Sequence, residues 1–457
     1  MASIPMDTDI PPLVQQLQVQ VKFVTRHPDI AVPTAPILVP SNLKRYGLSQ
    51  IINHLLDTAT PVPFDFLTGG AFLRTSLDAH LQSNGLSAES VITLEYVRAV
   101  VPPKFQAAFQ HDDWVSSVST AVFDGDNTLT RILSGSYDGI ARVWNLSGQV
   151  LAEAPGHNSA IKSVKWLDNG AQFVTSSMDR TLHLWSYSDD AIVPVAEFLG
   201  HKATVENIAV HSASHRILSA SADSTVGLWS TQSSECPAAP TDILPPKPKK
   251  RKTTSSPAVV AATAAPRYGP LGLLSGHSSP VSAVTFDPKD PTVAYSVSWD
   301  HTIRTWDLPT QALVDTRTTQ HPILSVCVLP GLSLLACGSS ARHITLHDPR
   351  ASASTVATST LRGHTNAVVA LCADGQSEWQ MASAGHDGTV RVWDVRAAGS
   401  GSMFTIKREG GEVVTGREKV FDVEWSRIGI VSGGSDKRVQ INETPRAGEE
   451  SVVVEKL

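Results

Sequence analysis

Cysteine is scarce in this chain, with four in 457 residues, and Cys236, Cys327, Cys337 and Cys372 contain no C-x-x-C pair. That usage reads as free thiols in a reducing compartment, three of them in apolar or small-residue strand contexts. No run of about 18 apolar residues occurs, which excludes an ordinary transmembrane helix. The opening "MASIPMDTDIPP" lacks the basic and apolar regions of a secretory signal. Positive charge is not in excess either: 37 Lys and Arg against 43 Asp and Glu leave a net charge of −6. Broad electrostatic attachment to nucleic acid is disfavoured, although a local basic patch is compatible with it. H-E-x-x-H, Walker, G-x-S-x-G and G-x-G-x-x-G motifs are all missing. These absences predict an intracellular, soluble, non-enzymatic protein with no cofactor and no metal held by this chain alone.

What is present is a repeat. The chain exceeds the size at which one core usually keeps growing, so two domains or a repeat array are expected. A unit recurs in which Gly-His is followed by Asp and, six residues after that Asp, by Trp. Its full copies carry His157, Asp179 and Trp185; His201, Asp223 and Trp229; His277, Asp300 and Trp306; and His364, Asp387 and Trp393. Three degenerate copies complete a set of seven. One keeps Asp138 and Trp144 behind "QHDDWVSSV", one keeps His321 but has Ala341 and His347, and one keeps Asp436 with Asn442 in place of Trp. Short alternating runs such as "RILSGS" and "TVRVWD" read as strands between tight turns.

This signature resembles the WD40 family, which implies four-stranded blades closed into a seven-bladed propeller over residues 101–445. Physically, the His beside the first strand can hydrogen-bond the Asp of the tight turn, and the Trp can pack between blades. Closing the ring needs an outer strand for the last blade. Residues near Lys104 to Phe109 are expected to supply it, with the tail "SVVVEKL" as the rival. Five of the sixteen histidines, His157, His201, His277, His321 and His364, are therefore spent on repeat-start positions, and His343 and His347, four apart on a strand, stand about 13 Å apart, too far to share a metal.

Residues 17–97 do not match the repeat. "LQVQVKFVTR" alternates, with Leu17, Val19, Val21 and Phe23 on one face. "VPTAPILVP" is a second extended stretch. "SNLKRYGLSQIINHLL" predicts a helix capped by Ser41 or Ser49, its stripe formed by Leu48, Ile51, Ile52, Leu55 and Leu56. "PFDFLTGG", "AFLRT", the helical "SLDAHLQSNG" and the strand "SVITLEYV" follow. This order resembles an α+β ubiquitin-like β-grasp domain, fused here as a binding module because Gly69-Gly70 lies in a turn and the chain runs on. The rest reads as a flexible N-terminus (1–16), a basic disordered insertion (233–268) and a C-terminal tail (446–457).

The insertion carries Lys247, Lys249, Lys250, Arg251 and Lys252 in a Pro-, Ala- and Ser-rich setting. The run reads as a nuclear localisation signal for an importin, with an RNA-touching arm and a solvated linker as alternatives.

The wording of the first domain carries a closer resemblance. "NLKRYGLSQIINHLL", "PVPFDFL", "LRTSL", "NGLSAE" with "LEY", and "PPKFQAAFQHDDWVSSV" together resemble the Ytm1/WDR12 family of ribosome biogenesis factors. The resemblance implies large (60S) subunit maturation and rRNA processing in nucleus, nucleolus and nucleoplasm. It implies a propeller that binds an Erb1/BOP1-like WD-repeat protein in a complex with Nop7/Pescadillo, on pre-60S particles. It further implies a ubiquitin-like domain gripped by the MIDAS domain of the AAA ATPase midasin, which strips the factor from the particle. The essential acidic residue of the family's Gly-Leu-Ser-x-Glu segment falls on Glu89, which would ligate the partner's Mg²⁺; hard cations take carboxylate oxygen. The plain alternative is a solvated loop carboxylate. His54, Arg74 and Asp78 are weaker candidates for the rim of that interface. Competing functions are a ubiquitin-ligase or proteasome adaptor, a Notchless-type factor, whose family form has eight blades, and a direct RNA-binding propeller.

Overall fold

The computed structural model describes residues 17–58, 60–87, 89–121, 130–167, 170–240, 265–351, 359–408 and 418–444. Two compact units meet in sequence at Val101 and Pro102. In the first, the strands are β1 (Gln18–Val24), β2 (Ile37–Pro40), β3 (Phe64–Thr68), β4 (Ala71–Phe72) and β5 (Ile92–Arg98), with helices α1 (Arg45–Leu56) and α2 (Leu77–Asn84). The sheet order is β2-β1-β5-β3-β4, with β1 and β5 parallel and Val21 opposite Ile92. This is the mixed sheet of a β-grasp fold. Alternation in β1 places Val19, Val21 and Phe23 in the core beside Phe64, Phe66 and Tyr96, whereas Leu17 lies before the strand and is exposed. The Tyr96 hydroxyl donates to the Ile30 carbonyl at 2.6 Å and accepts from Val32 N–H at 3.0 Å, so its buried polar end is satisfied.

Helix α1 departs from expectation at its start. Lys44 occupies the N-cap and no side chain caps it. Ser49 lies inside the helix, where its hydroxyl donates to the Val62 carbonyl and accepts from Phe64 N–H, fastening α1 to the entry of β3. A serine with a tertiary partner has no need to seek the local backbone as a cap. Leu48 and Ile52 are buried, Ile51 and Leu56 pack beside them, and Leu55 faces outward.

The second unit holds seven sheets among the described residues, each with three consecutive antiparallel strands and a fourth antiparallel outer strand. Their first strands are Val115–Ala121, Ile161–Leu167, Val205–His211, Val281–Phe286, Ile323–Leu329, Val368–Ala373 and Val420–Ser426. Each touches the next, and the last touches the first, which closes a ring of seven blades. The last blade takes its outer strand, Lys104–Gln110, from the N-terminal side, with Phe109 opposite Val439. The rival tail lies outside the described residues. The same seam is bridged by carboxylates. Asp422 accepts from the Ser117 hydroxyl (2.6 Å) and Val118 N–H (3.0 Å), and Glu424 accepts from the N–H (2.7 Å) and hydroxyl (2.8 Å) of Thr120.

The insertion at 233–268, expected to be disordered throughout, is built at both ends. Arg267–Tyr268 adds a fifth, parallel strand to the edge of the second blade beside Ala191–Leu199. Ala238 bridges Tyr268, and Gly269 N–H donates to the Pro237 carbonyl at 2.9 Å, so the two ends form one stem. Backbone pairing available on an open strand edge supplies the order that the Pro- and Ala-rich composition does not.

Candidate functional site

The loop between α2 and β5 carries Glu89. Ser76 caps α2 by accepting from Ala79 N–H, and Gly85 ends the helix at φ +62°, where a residue without Cβ is favoured. Leu86 N–H then returns to the Leu81 carbonyl at 3.0 Å. The Ser87 hydroxyl accepts from Glu89 N–H (3.2 Å), and the Ser90 hydroxyl donates to the Ser87 carbonyl (2.7 Å). The backbone of Glu89 is thus braced while its side chain is exposed and makes no hydrogen bond or ion pair with a described residue. Leu86 and Val91, 49% and 46% exposed, flank it with apolar surface. A projecting carboxylate between two apolar contacts can offer an oxygen ligand to a cation held by another molecule.

The other rim candidates are dispersed over the unit. His54 lies in the last turn of α1 and Arg74 in the segment before α2, both exposed. Asp78, in the first turn of α2, accepts from Gln82 Nε2 at 3.1 Å. Among the described residues no hydrogen bond or ion pair joins any of them to Glu89. No group of three or more His, Cys, Asp or Glu side chains converges on a metal position there either. No helix among these residues is long and apolar enough to cross a membrane. The cationic residues Lys247, Lys249, Lys250, Arg251 and Lys252 lie outside the described residues.

In the propeller, the repeat residues form a four-membered relay. His157 Nδ1 lies 3.0 Å from Asp179 Oδ2 and its Nε2 lies 2.7 Å from Thr175 Oγ1, which also accepts from Trp185 Nε1 at 3.0 Å. The same pattern joins His201 to Asp223, Ser219 and Trp229; His277 to Asp300, Ser296 and Trp306; and His364 to Asp387, Ser383 and Trp393. Because the indole donates to the hydroxyl, the hydroxyl proton is free for His Nε2, and Nδ1–H faces the carboxylate. Burial pushes these carboxyls up, but hydrogen bonds from His, Thr and backbone outweigh it; Asp300 falls to about 2, and Asp179, Asp223 and Asp387 are also depressed. Each indole is at most 3% exposed. Burying about 200 Å² of such a ring contributes on the order of 5 kcal/mol by area, as an upper bound.

Sequence reading missed the hydroxyl member, although Ser or Thr stands four residues before Asp in every copy that keeps Asp. It also missed two substitutes. His111 of "QHDDW" fills the first blade's His position, 2.9 Å from Ser134 Oγ, while Asp138 pairs with Arg142 at 2.7 Å. In the seventh blade Arg408 replaces His, donating to both Asp436 oxygens (2.9 and 2.8 Å) and to Ser432 Oγ (2.7 Å). In the fifth blade Ala341, Cys337 and His347 replace Asp, the hydroxyl residue and Trp together, so no relay forms.

Comparison with known proteins gives two family matches: the "NLE (NUC135) domain" over residues 19–81, and the "WD domain, G-beta repeat" in five segments. Those segments span residues 104–145, 148–186, 192–230, 269–307 and 356–394, leaving the three inner strands of the fifth and of the seventh blade unmatched. Full-length similarity is found to the "Ribosome biogenesis protein ytm1" of Aspergillus fumigatus, 49% identical over 475 residues, covering 93% of this chain and 95% of that protein. The like-named proteins of Emericella nidulans and Ajellomyces capsulatus are each 49% identical over 93% of this chain, covering 96% and 94% of their own lengths.

Proposed function

Since the chain belongs to the Ytm1 family of ribosome biogenesis proteins, we propose that it is a non-enzymatic assembly factor whose two units hold two different partners during large-subunit maturation. The propeller binds an Erb1/BOP1-like WD-repeat protein, itself joined to Nop7/Pescadillo, on pre-60S particles engaged in rRNA processing. The ubiquitin-like unit presents Glu89 to the Mg²⁺ of the midasin MIDAS domain, and ATP hydrolysis by midasin pulls the factor off. An importin delivers the protein to the nucleus, where it works in nucleolus and nucleoplasm.

The observation that carries this reading is Glu89, braced, exposed and unpaired among the described residues, within a chain 49% identical to such a factor over 93% of its length. Mg²⁺ requires oxygen at about 2.1 Å and keeps near-octahedral geometry, so a ligand from a second protein must arrive on a backbone that is already positioned. Leu86 and Val91 offer the apolar surround that excludes water from such a contact.

The test is affinity purification of the full chain beside Glu89→Ala and Glu89→Asp, with pull-down of an isolated MIDAS domain with and without chelator. Glu89→Ala is expected to abolish MIDAS binding and leave the Erb1/BOP1-like partner bound. Glu89→Asp, one methylene shorter, is expected to weaken MIDAS binding at least tenfold. Normal MIDAS binding by Glu89→Ala, or binding indifferent to chelation, would refute the assignment. Recovery of proteasome subunits in place of midasin would point to an adaptor instead.

A further inference from the structure

The inner strands of the ring surround a cavity of about 700 Å³ whose lining is unevenly distributed. Tyr137, Trp299 and His386 occupy one repeat position, the residue that opens the turn after the second strand of a blade. Its backbone is fixed by an N–H bond to a carbonyl at the start of the inner strand: Trp114, Pro280 and Ala367 respectively. The repeat makes no demand on its side chain, which is Met178, Ala222, Ser340 or Ser435 in the other blades. Three aromatic rings at this position therefore have no architectural explanation.

Phe421, the second residue of its inner strand, gathers two of these rings, together with Trp114, on one side of the mouth. Its centroid lies 6.1 Å from Tyr137, 5.9 Å from His386 and 5.9 Å from Trp114. Trp299 and Trp114 remain 55% and 44% exposed. The mouth already accepts one cation in this manner, since the Lys162 ammonium stands 5.7 Å from the Tyr137 ring centroid while paired with Glu206 at 3.1 Å.

The charge beneath is negative. Lys162 is matched by Glu206 and Lys165 by Glu424 at 3.0 Å, which leaves the Asp422 carboxylate in excess. Asp422 receives hydrogen bonds from Ser117, Val118 and Val423, and among the described residues no cation forms an ion pair with it, Lys165 being paired with Glu424. Burial raises its carboxyl above the ordinary value despite nearby Lys165. His386 adds no positive charge, because burial, aided by Lys419 and Lys162 and opposed by Asp387, holds it below its usual value.

We propose that this mouth receives the side chain of an arginine presented by a loop of a protein partner, its guanidinium against Phe421 and Tyr137 and its N–H groups directed to Asp422 and Glu206. Arginine suits the site better than lysine, because its plane stacks on aromatic faces and its head is less strongly hydrated. A nucleic acid would bring phosphate to a surplus carboxylate, and an apolar side chain would strip water from the Glu206 and Asp422 carboxylates with no compensation. The exposed tryptophans supply the surrounding contact that such an anchor needs. This inference goes beyond the two-partner reading and does not depend on the partner's identity.

A displayed library of random disulfide-cyclised nonapeptides, selected on the full chain, tests it. Enriched peptides are expected to share an arginine, and citrulline at that position should weaken binding at least tenfold. Phe421→Leu, Trp299→Ala and Asp422→Asn in the chain should each cost fivefold or more without lowering the melting temperature of the first two. Asp422→Asn keeps an acceptor for Val118; if it fails to fold, the other two decide. Enrichment of peptides without arginine, no enrichment at all, equal binding of citrulline, or displacement of peptide by a single-stranded RNA probe would each overturn the proposal.

Discussion

Arg408 shows how a position lost from a repeat signature can be refilled from elsewhere. In the complete blades the His lies 22 or 23 residues before its Asp, whereas Arg408 lies 28 before Asp436 and follows no Gly-His. Sequence reading therefore sees Asp436 without a partner. The guanidinium satisfies both carboxylate oxygens, the Ser432 hydroxyl and carbonyl, and the Arg438 carbonyl, with its side chain 3% exposed. Removing one member of a buried pair leaves the other charge uncompensated, so Arg408→Ala is expected to cost about 3–5 kcal/mol. Arg408→Lys should recover less than half of that, because an ammonium cannot supply the fork. Urea unfolding monitored by tryptophan fluorescence measures both, and a loss below about 1 kcal/mol in Arg408→Ala would show the pair to be dispensable.

Among the elements, strands were the most legible. Period-two alternation identifies β1 and the repeat strands because one face of each meets a core. The start of α1 was not legible: Ser41 and Ser49 both suit a cap, and only the fold shows Ser49 engaged with Val62 and Phe64. The outer strand of the last blade was inferable because "PPKFQAAFQHDDW" parallels the strand-to-strand passage of a complete repeat. Phe109 in it is buried and stacked on Trp144 at 5.7 Å, while Phe105 is 42% exposed. Phe109→Ala is expected to destabilise the propeller by about 3–5 kcal/mol, and Phe105→Ala by about 0.5 kcal/mol or less. Thermal melts of the two variants decide the matter, and equal losses would mean that the strand does not hold the ring closed through its buried face.

For the molecule as a whole, the two units divide the proposed work, and the cationic run serves neither. Its insertion leaves and re-enters the propeller through the stem on the second blade, where Arg267 pairs with Glu197 at 2.8 Å. Deleting residues 245–252 is expected to shift the protein from nucleus to cytoplasm with an unchanged melting temperature; unaltered nuclear accumulation of a fluorescent fusion would refute the signal. Sequence alone determined the β-grasp order and the seven repeats, because periodicity and turn chemistry are written along the chain; Glu89 as the residue to test came from the resemblance of its Gly-Leu-Ser-x-Glu segment to the family's. Sequence could not determine that Arg408 stands in for a histidine, that Ser49 staples a helix, or that Tyr137 and His386 meet Phe421 beside a cavity that Trp299 and Asp422 also line. Asp422 and Ser117 stand 305 positions apart and come within hydrogen-bonding distance only because the ring closes, whereas Ser49 and Arg408 find partners 13 and 28 positions away through the packing of α1 on β3 and of strands within one blade.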